Sequence, residues 1–263
     1  MDLGLKGKVA VVLAASSGIG RGIATVLAQE GCSLAICARD SSRLNTVAEA
    51  IRSSTKADVF AQQCDVSNSA SIDGFFDSVL NRYGRIEILI NNSGGPPAGL
   101  CFDFSDTNYD EAFNLVLMSK VRACRRVVPG MINNRWGRII NIESTSVKIA
   151  LENMVLSNVF RSASTAFAKT LSMEVAPHNI RVHTVLSGPM LTNRVNELGN
   201  VAASKRGISF EQWKTEAESS TPLGRFGDPL EFGEFVAFLA SERAGYMNGT
   251  CIAFDGGVLR TVS

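Results

Sequence analysis

Ser157 and Arg161 stand four residues apart in the stretch LSNVFRSASTAFAKTL, residues 156–171. That spacing puts both on one face of a helix. A serine hydroxyl is a weak acid, and a guanidinium stays protonated. The two make a poor proton-transfer pair but a good pair of hydrogen-bond donors. They can stabilise negative charge developing on an oxygen, or Arg161 can clamp a carboxylate or phosphate. A second chemical feature is VVLAASSGIGRGIA, residues 11–24. Between an apolar run and a helix it places Ser16, Ser17, Gly18, Ile19 and Gly20. Small residues let the backbone approach a pyrophosphate, and the free N–H groups and dipole of a helix start attract it. The second apolar run ends ICARD, where an acid would hold the ribose hydroxyls of NAD. Ala38 followed by Arg39 suits a ribose 2′-phosphate instead, so NADP(H) is expected ahead of NAD(H).

These groups need a scaffold, and the apolar periodicity supplies one. Short runs rich in Val, Ile and Leu at 8–14, 33–38, 58–64, 86–91, 138–143, 181–186 and 251–254 read as strands. Helical periodicity fills 20–30, 42–53, 70–83, 107–133, 157–176 and 229–241. Strand followed by helix, repeated, predicts an α/β fold with a parallel sheet covered on both faces. No linker or repeat divides residues 1–263, so one domain is expected. The polar segment 193–220 after a Gly-Pro turn is expected to cover a site.

Lys plus Arg total 26 against 25 Asp plus Glu, which offers no electrostatic case for nucleic acid or an anionic membrane. No apolar run has the length of a signal peptide core or a membrane helix. The six cysteines lack metal-ligand spacing and read as reduced thiols, so a cytoplasmic protein without a metal is expected.

Further landmarks follow in order: CDVS (64–67), NNSG (91–94), GRIINIES (137–144), IRVHTVLSGPMLT (180–192) and the closing segment 222–257. Together they resemble the short-chain dehydrogenase/reductase family over nearly the whole chain. The resemblance implies a Rossmann-type doubly wound sheet of seven parallel strands. It implies that Asp65 and Val66 flank the adenine, and that Asn92, Ser93 and Gly94 line the cofactor groove. Gly188 and Thr192 would lie near the nicotinamide. Asn114 would support a proton relay, and Ser144 would hydrogen-bond the substrate oxygen. It also implies a homo-oligomer, a tetramer or dimer.

The departures from the family pattern matter as much. Ser157 and Arg161 occupy the places of the catalytic tyrosine and lysine, as in a divergent branch of the family. Arg161 could still hold the nicotinamide ribose as that lysine does. Leu13-Ala14 replaces Thr-Gly, Ser187 replaces a proline and His183 replaces an asparagine. Three functions remain open: an NADP(H)-dependent oxidoreductase interconverting a carbonyl and a secondary alcohol by an atypical proton path, a non-redox dinucleotide-binding sensor, and a dehydratase or isomerase. Of the other titratable groups, Lys148 and Glu152 read as loop charges, and His183 as structural. Strand alternation turns Glu143 away from Ser144. Lys120, Arg122, Arg125 and Arg126 read as a solvated or subunit-contact face of the long helix.

Overall fold

In a sheet covered on both faces, successive residues of a strand must both be apolar. The first strand and the residue after it show it: Ala10 and Val12 pack into one cluster, Val11 and Leu13 into the other. The computed structural model describes residues 2–261, apart from the side chain of Arg194. The strands are β1 (Val9–Val12), β2 (Ser33–Ala38), β3 (Val59–Gln63), β4 (Ile88–Asn91), β5 (Gly137–Ser144), β6 (Ile180–Ser187) and β7 (Cys251–Phe254). All neighbours pair in parallel, in the order β3-β2-β1-β4-β5-β6-β7. The order reverses between β1 and β4. Beyond the carboxyl ends of those strands a doubly wound sheet opens its ligand crevice.

Helices α1 (Gly18–Gln29), α2 (Ser41–Thr55) and α9 (Pro229–Ala240) cover one face through residues such as Ile23, Val47 and Phe232. Helices α3 (Ser69–Tyr83), α5 (Ser119–Asn134) and α6 (Val155–Val175) cover the other through Phe75, Val127 and Ala168. Side-chain caps fix two starts: Asp40 accepts from the Arg43 amide at 2.9 Å, and Asn68 from the Ser71 amide at 2.9 Å.

The clearest departures from the sequence expectation lie at the end of β1 and in the long helix. β1 stops at Val12 because Ala14 turns to φ +51°. The long helix expected over 107–133 is broken. α4 (Asp106–Ala112) leads into a π-turn, Phe113–Met118, before α5. Its apolar periodicity continues through the break, so the sequence pattern does not reveal it. Residues 193–220 are largely helical, as α7 (Asn193–Arg206) and α8 (Phe210–Ser219).

Candidate active site

The turn after β1 is built from backbone. Ser17 is extended, with φ −166°, and makes no side-chain cap, so the first amides of α1 face outward unclaimed by it. Gly18 adopts φ +53°, a conformation that favours glycine. A Cβ on Gly20 would come within 2.4 Å of the Ala14 carbonyl oxygen. Asn92, just past β4, donates to that carbonyl at 3.2 Å and ties the two strand ends together. Ser16 and Ile19 are half-buried beside the turn, and Ile19 anchors it on the core.

Other groove residues collect at the same edge. Ser93 has a buried hydroxyl with no protein partner, as a groove-lining donor for a ligand would. Gly94 is exposed next to it. Thr192 caps α7, accepting from the Val195 amide at 3.4 Å, and its methyl lies 3.1 Å from where a Gly18 Cβ would be. Gly188 donates its amide to Phe254 at 3.0 Å, and a Cβ there would strike Asp255. Past β2, Arg39 is exposed and free to turn to a ligand, whereas Asp40 is committed to its cap. Asp65 is half-buried and accepts from the amide and hydroxyl of Ser67 at 2.9 and 2.8 Å, while Val66 is buried. Free helix-start amides, a cradle with no room for a Cβ and an orphan hydroxyl together fit a dinucleotide.

Side chains build the neighbouring half of the site. Ser157 is buried one turn before Arg161 on α6, and Arg161 Nε donates to Ser157 Oγ at 3.1 Å. Arg161 Nη1 donates to Glu143 Oε2 at 2.8 Å. Arg161 Nη2 lies 3.9 Å from the Cβ position of Gly95, in the loop after β4. Glu143 Oε1 accepts from Lys120 Nζ at 2.5 Å, and Lys120 also donates to the Val116 carbonyl at 3.1 Å. The Lys120 and Glu143 side chains are 1% and 0% exposed, so this ion pair is sealed from water. Burial lowers the Lys120 ammonium below the ordinary lysine value, against the pull of Glu143.

Ser144, at the end of β5, accepts from the Ser146 amide at 3.2 Å, which leaves its own proton available. Ser146 is buried, with its hydroxyl 3.4 Å from that of Ser157. Three serine side chains thus border the start of α6. Asn114 is not among their partners. In the π-turn its amide donates to the Asp110 carbonyl at 2.8 Å and accepts from Arg122 at 2.8 Å.

The basic stretch of α5 is not one solvated face. Lys120 is buried, Arg122 holds Asn114 and the Ser67 carbonyl, Arg126 pairs with Asp77, and Arg125 is exposed. Two signals were present in the sequence. Val116, Lys120, Ala123 and Val127 lie on one helical stripe, which turns Lys120 inward. Alternation does turn Glu143 from Ser144, but toward the face where α5 and α6 pack. Nothing in the sequence singled out Ser146.

The remaining titratable groups stand apart. Tyr83 donates to the Leu34 carbonyl, Tyr109 donates to the Cys101 carbonyl and Tyr246 is fully exposed. Lys148 and Glu152 are exposed. His183 is buried, with Nδ1 2.7 Å from the Thr250 hydroxyl; desolvation, then Arg138 and Arg181, push its pKa down to about 4. Among the described residues no group of acids, histidines and cysteines could hold a metal ion.

Comparison with known proteins agrees with this geometry. A family model described as Enoyl-(Acyl carrier protein) reductase matches residues 13–259. The NADPH-dependent reductase BacG of Bacillus subtilis is 31% identical, over 97% of this chain and 99% of its own. The 3-oxoacyl-[acyl-carrier-protein] reductase FabG of Aquifex aeolicus is also 31% identical, over 98% of this chain and 100% of its own. The crystal structure of L-sorbose reductase from Gluconobacter frateurii, complexed with NADPH and L-sorbose, is 33% identical and superposes with a TM-score of 0.96 over 100% of both chains. With its parallel seven-stranded sheet, its glycine-lined turn after β1 and a match spanning nearly its whole length, the chain belongs to the short-chain dehydrogenase/reductase family.

Proposed function

We propose that the protein is an NADP(H)-dependent oxidoreductase that interconverts a carbonyl and a secondary alcohol, with an arginine-held serine in place of an acidic tyrosine. The observation that carries this is the 3.1 Å bond from Arg161 Nε to Ser157 Oγ, beside Ser144 at the sheet edge where the phosphate turn also opens. When bound, the dinucleotide supplies or takes up the hydride. Ser16, Ser17, Gly18, Ile19 and Gly20 cradle its phosphates, with Arg39 on the 2′-phosphate. Asp65 and Val66 border the adenine. Asn92, Ser93, Gly94, Gly188 and Thr192 line the groove toward the nicotinamide.

Reduction leaves negative charge growing on the substrate oxygen. Ser144 and Ser157 both keep a proton to donate to it, because the oxygen of each already accepts a bond from nitrogen. The Arg161 cation stabilises the same charge through Ser157 and has Nη2 left for the nicotinamide ribose. A guanidinium does not readily give up its proton, so the proton that completes the alcohol comes from water. Asn114, held by Asp110 and Arg122, supports that water's route as a fixed wall and is not itself a proton carrier. Helices α7 and α8 cover the substrate within a single domain spanning residues 1–263.

The active form is proposed to be a homo-oligomer, a tetramer or dimer, as the family resemblance implies, with exposed apolar side chains such as Phe102 and Val159 open to a subunit contact. Cytoplasmic residence fits the free thiols among the described residues, where in addition no helix is long and apolar enough to cross a membrane.

Calorimetric titration with NADPH and NADH, followed by a carbonyl panel read at the nicotinamide absorbance, tests the assignment. NADPH is expected to bind more tightly. Arg39→Ala is expected to weaken NADPH roughly tenfold to a hundredfold, as loss of charge-assisted hydrogen bonds does, and to leave NADH binding unchanged. Binding of neither nucleotide, or binding with no hydride transfer to any carbonyl, would refute it.

A further inference from the structure

Among the described residues Glu143 is the only buried carboxylate, and its two oxygens go to different cations. Sealing a charge from water is costly unless it is paired and hydrogen-bonded. Lys120 alone would serve that need. Lys120 is itself fixed, because its Nζ also donates to Val116 in the π-turn. The third member, Arg161, reaches back from this buried pair to the site.

The geometry gives Glu143 a definite task. A guanidinium is planar and rigid, so holding Nη1 on Glu143 sets the direction of Nε. That direction ends on Ser157 Oγ. Arg161 Nε can only donate, so the Ser157 oxygen accepts. The Ser157 proton must then point elsewhere, toward Ser146 Oγ at 3.4 Å or toward the open side of the site. The chain of cause runs from the π-turn through Lys120, Glu143 and Arg161 to one hydroxyl.

We propose that Glu143, anchored by Lys120, is a positioning residue that fixes the Arg161 guanidinium and thereby aims the Ser157 proton at the substrate oxygen. This rests on the reading that Ser157 serves the carbonyl. Neither Glu143 nor Lys120 touches substrate or cofactor.

The test compares the full-length protein with the double variant Glu143→Leu/Lys120→Met, which removes the anchor without stranding either buried charge. Glu143→Gln, which keeps an acceptor for Arg161, is the second variant and carries the same measurements if the double variant does not fold. Protein labelled with 15N-arginine reports the Arg161 Nε–H signal, assigned by its absence in Arg161→Lys. Wild type should show a sharp signal, slow to exchange with water. The double variant should lose it to exchange. Its kcat should fall about a hundredfold, the scale of a small misplacement in a reacting site. KM and NADPH affinity should change by less than about threefold, which separates a transition-state effect from general loosening. Glu143→Gln should lie between the two proteins.

A folded double variant with wild-type kcat or an unchanged Nε signal would overturn the proposal. So would losses spread evenly over kcat, KM and cofactor affinity. A wild-type protein that binds NADPH but reduces no carbonyl would refute the functional reading and with it the role given to the Ser157 proton. The Nε signal would still decide whether Glu143 fixes the guanidinium.

Discussion

The two halves of the sheet solve opposite problems. From the N-terminus through Ile90, no polar or charged side chain is buried among the described residues; all of those that are buried, from Asn91 at the end of β4 to Ser241, follow. The first half is an apolar core whose proposed cofactor contacts lie mostly in its backbone: the turn at Gly18 and Gly20, the Ala14 carbonyl and the start of α1, with the Arg39 side chain the exception. The second half takes polar side chains inside it: Asn91 with Asn141, Lys120 with Glu143, Ser146 with Ser157. A backbone site binds a ligand shared by many proteins and tolerates change in most side chains around it. A side-chain site can be rebuilt for new chemistry, but each buried polar group then needs its partner. Ser157 and Arg161, at the places where the family resemblance implies a tyrosine and a lysine, lie in the second half. The glycine-lined turn proposed to take the cofactor phosphates lies in the first.

The largest effect is expected where the second half is disturbed. Arg161→Lys restores the family's usual residue, yet it should be damaging here. One lysine Nζ cannot reproduce a fork that spans Glu143 and Ser157. The expected loss in kcat is about 10²–10³, the range for removing a donor that stabilises a developing oxyanion. NADPH titration should remain near wild type, because a lysine can still hold the nicotinamide ribose and the turn after β1 is untouched. Steady-state kinetics on the best carbonyl substrate decide this. Wild-type turnover in Arg161→Lys would mean that the buried network has no part in the reaction.

His183 tests the same half through stability. Its folded pKa of about 4 lies below the ordinary histidine value of 6.5, and Nε2 has no partner. Protons therefore favour the unfolded chain. The contribution is complete above the unfolded pKa and is lost as pH falls from about 6.5 toward 4. Linkage puts this loss at roughly 2 kcal/mol between about pH 7.5 and pH 5. Urea midpoints across that range should drop in wild type and drop less in His183→Asn, which removes the titrating group. An equal acid loss in both proteins would place the titration elsewhere.

How much of this was legible in the sequence follows the same division. The strands and helices were marked by apolar runs, and the tight turn after β1 by small residues between a strand and a helix. Local pattern sufficed because the residues that form the turn are adjacent in sequence. Ser157 and Arg161 were visible as a pair four residues apart. Their partners were not. Glu143 is 18 residues from Arg161 and 23 from Lys120 in sequence, and only the packing of α5 and α6 on β5 brings them together. Lys120 in a run with Arg122, Arg125 and Arg126 reads as a charged surface until its stripe is laid on the sheet. The π-turn was hidden for a related reason: an extra residue in a helical turn shifts the register without altering composition.

The smallest effect is expected in the first half. Ala14 sits at φ +51°, a backbone conformation that a side chain resists and glycine accepts. What the site takes from this position is its carbonyl, which accepts from Asn92 and closes over Gly20. The Ala14 methyl has no such role. Ala14→Gly should therefore relieve strain and raise stability by about 1 kcal/mol, partly offset by the freer unfolded chain. NADPH affinity should stay within about twofold of wild type, since the hydrogen-bonding groups of the turn are unchanged. Thermal unfolding and calorimetry on the same preparation read both quantities. A gain in stability with unchanged affinity would show that this half works through its backbone. Lower affinity would show that the Ala14 methyl shapes the phosphate turn, and the contrast between the two halves would weaken accordingly.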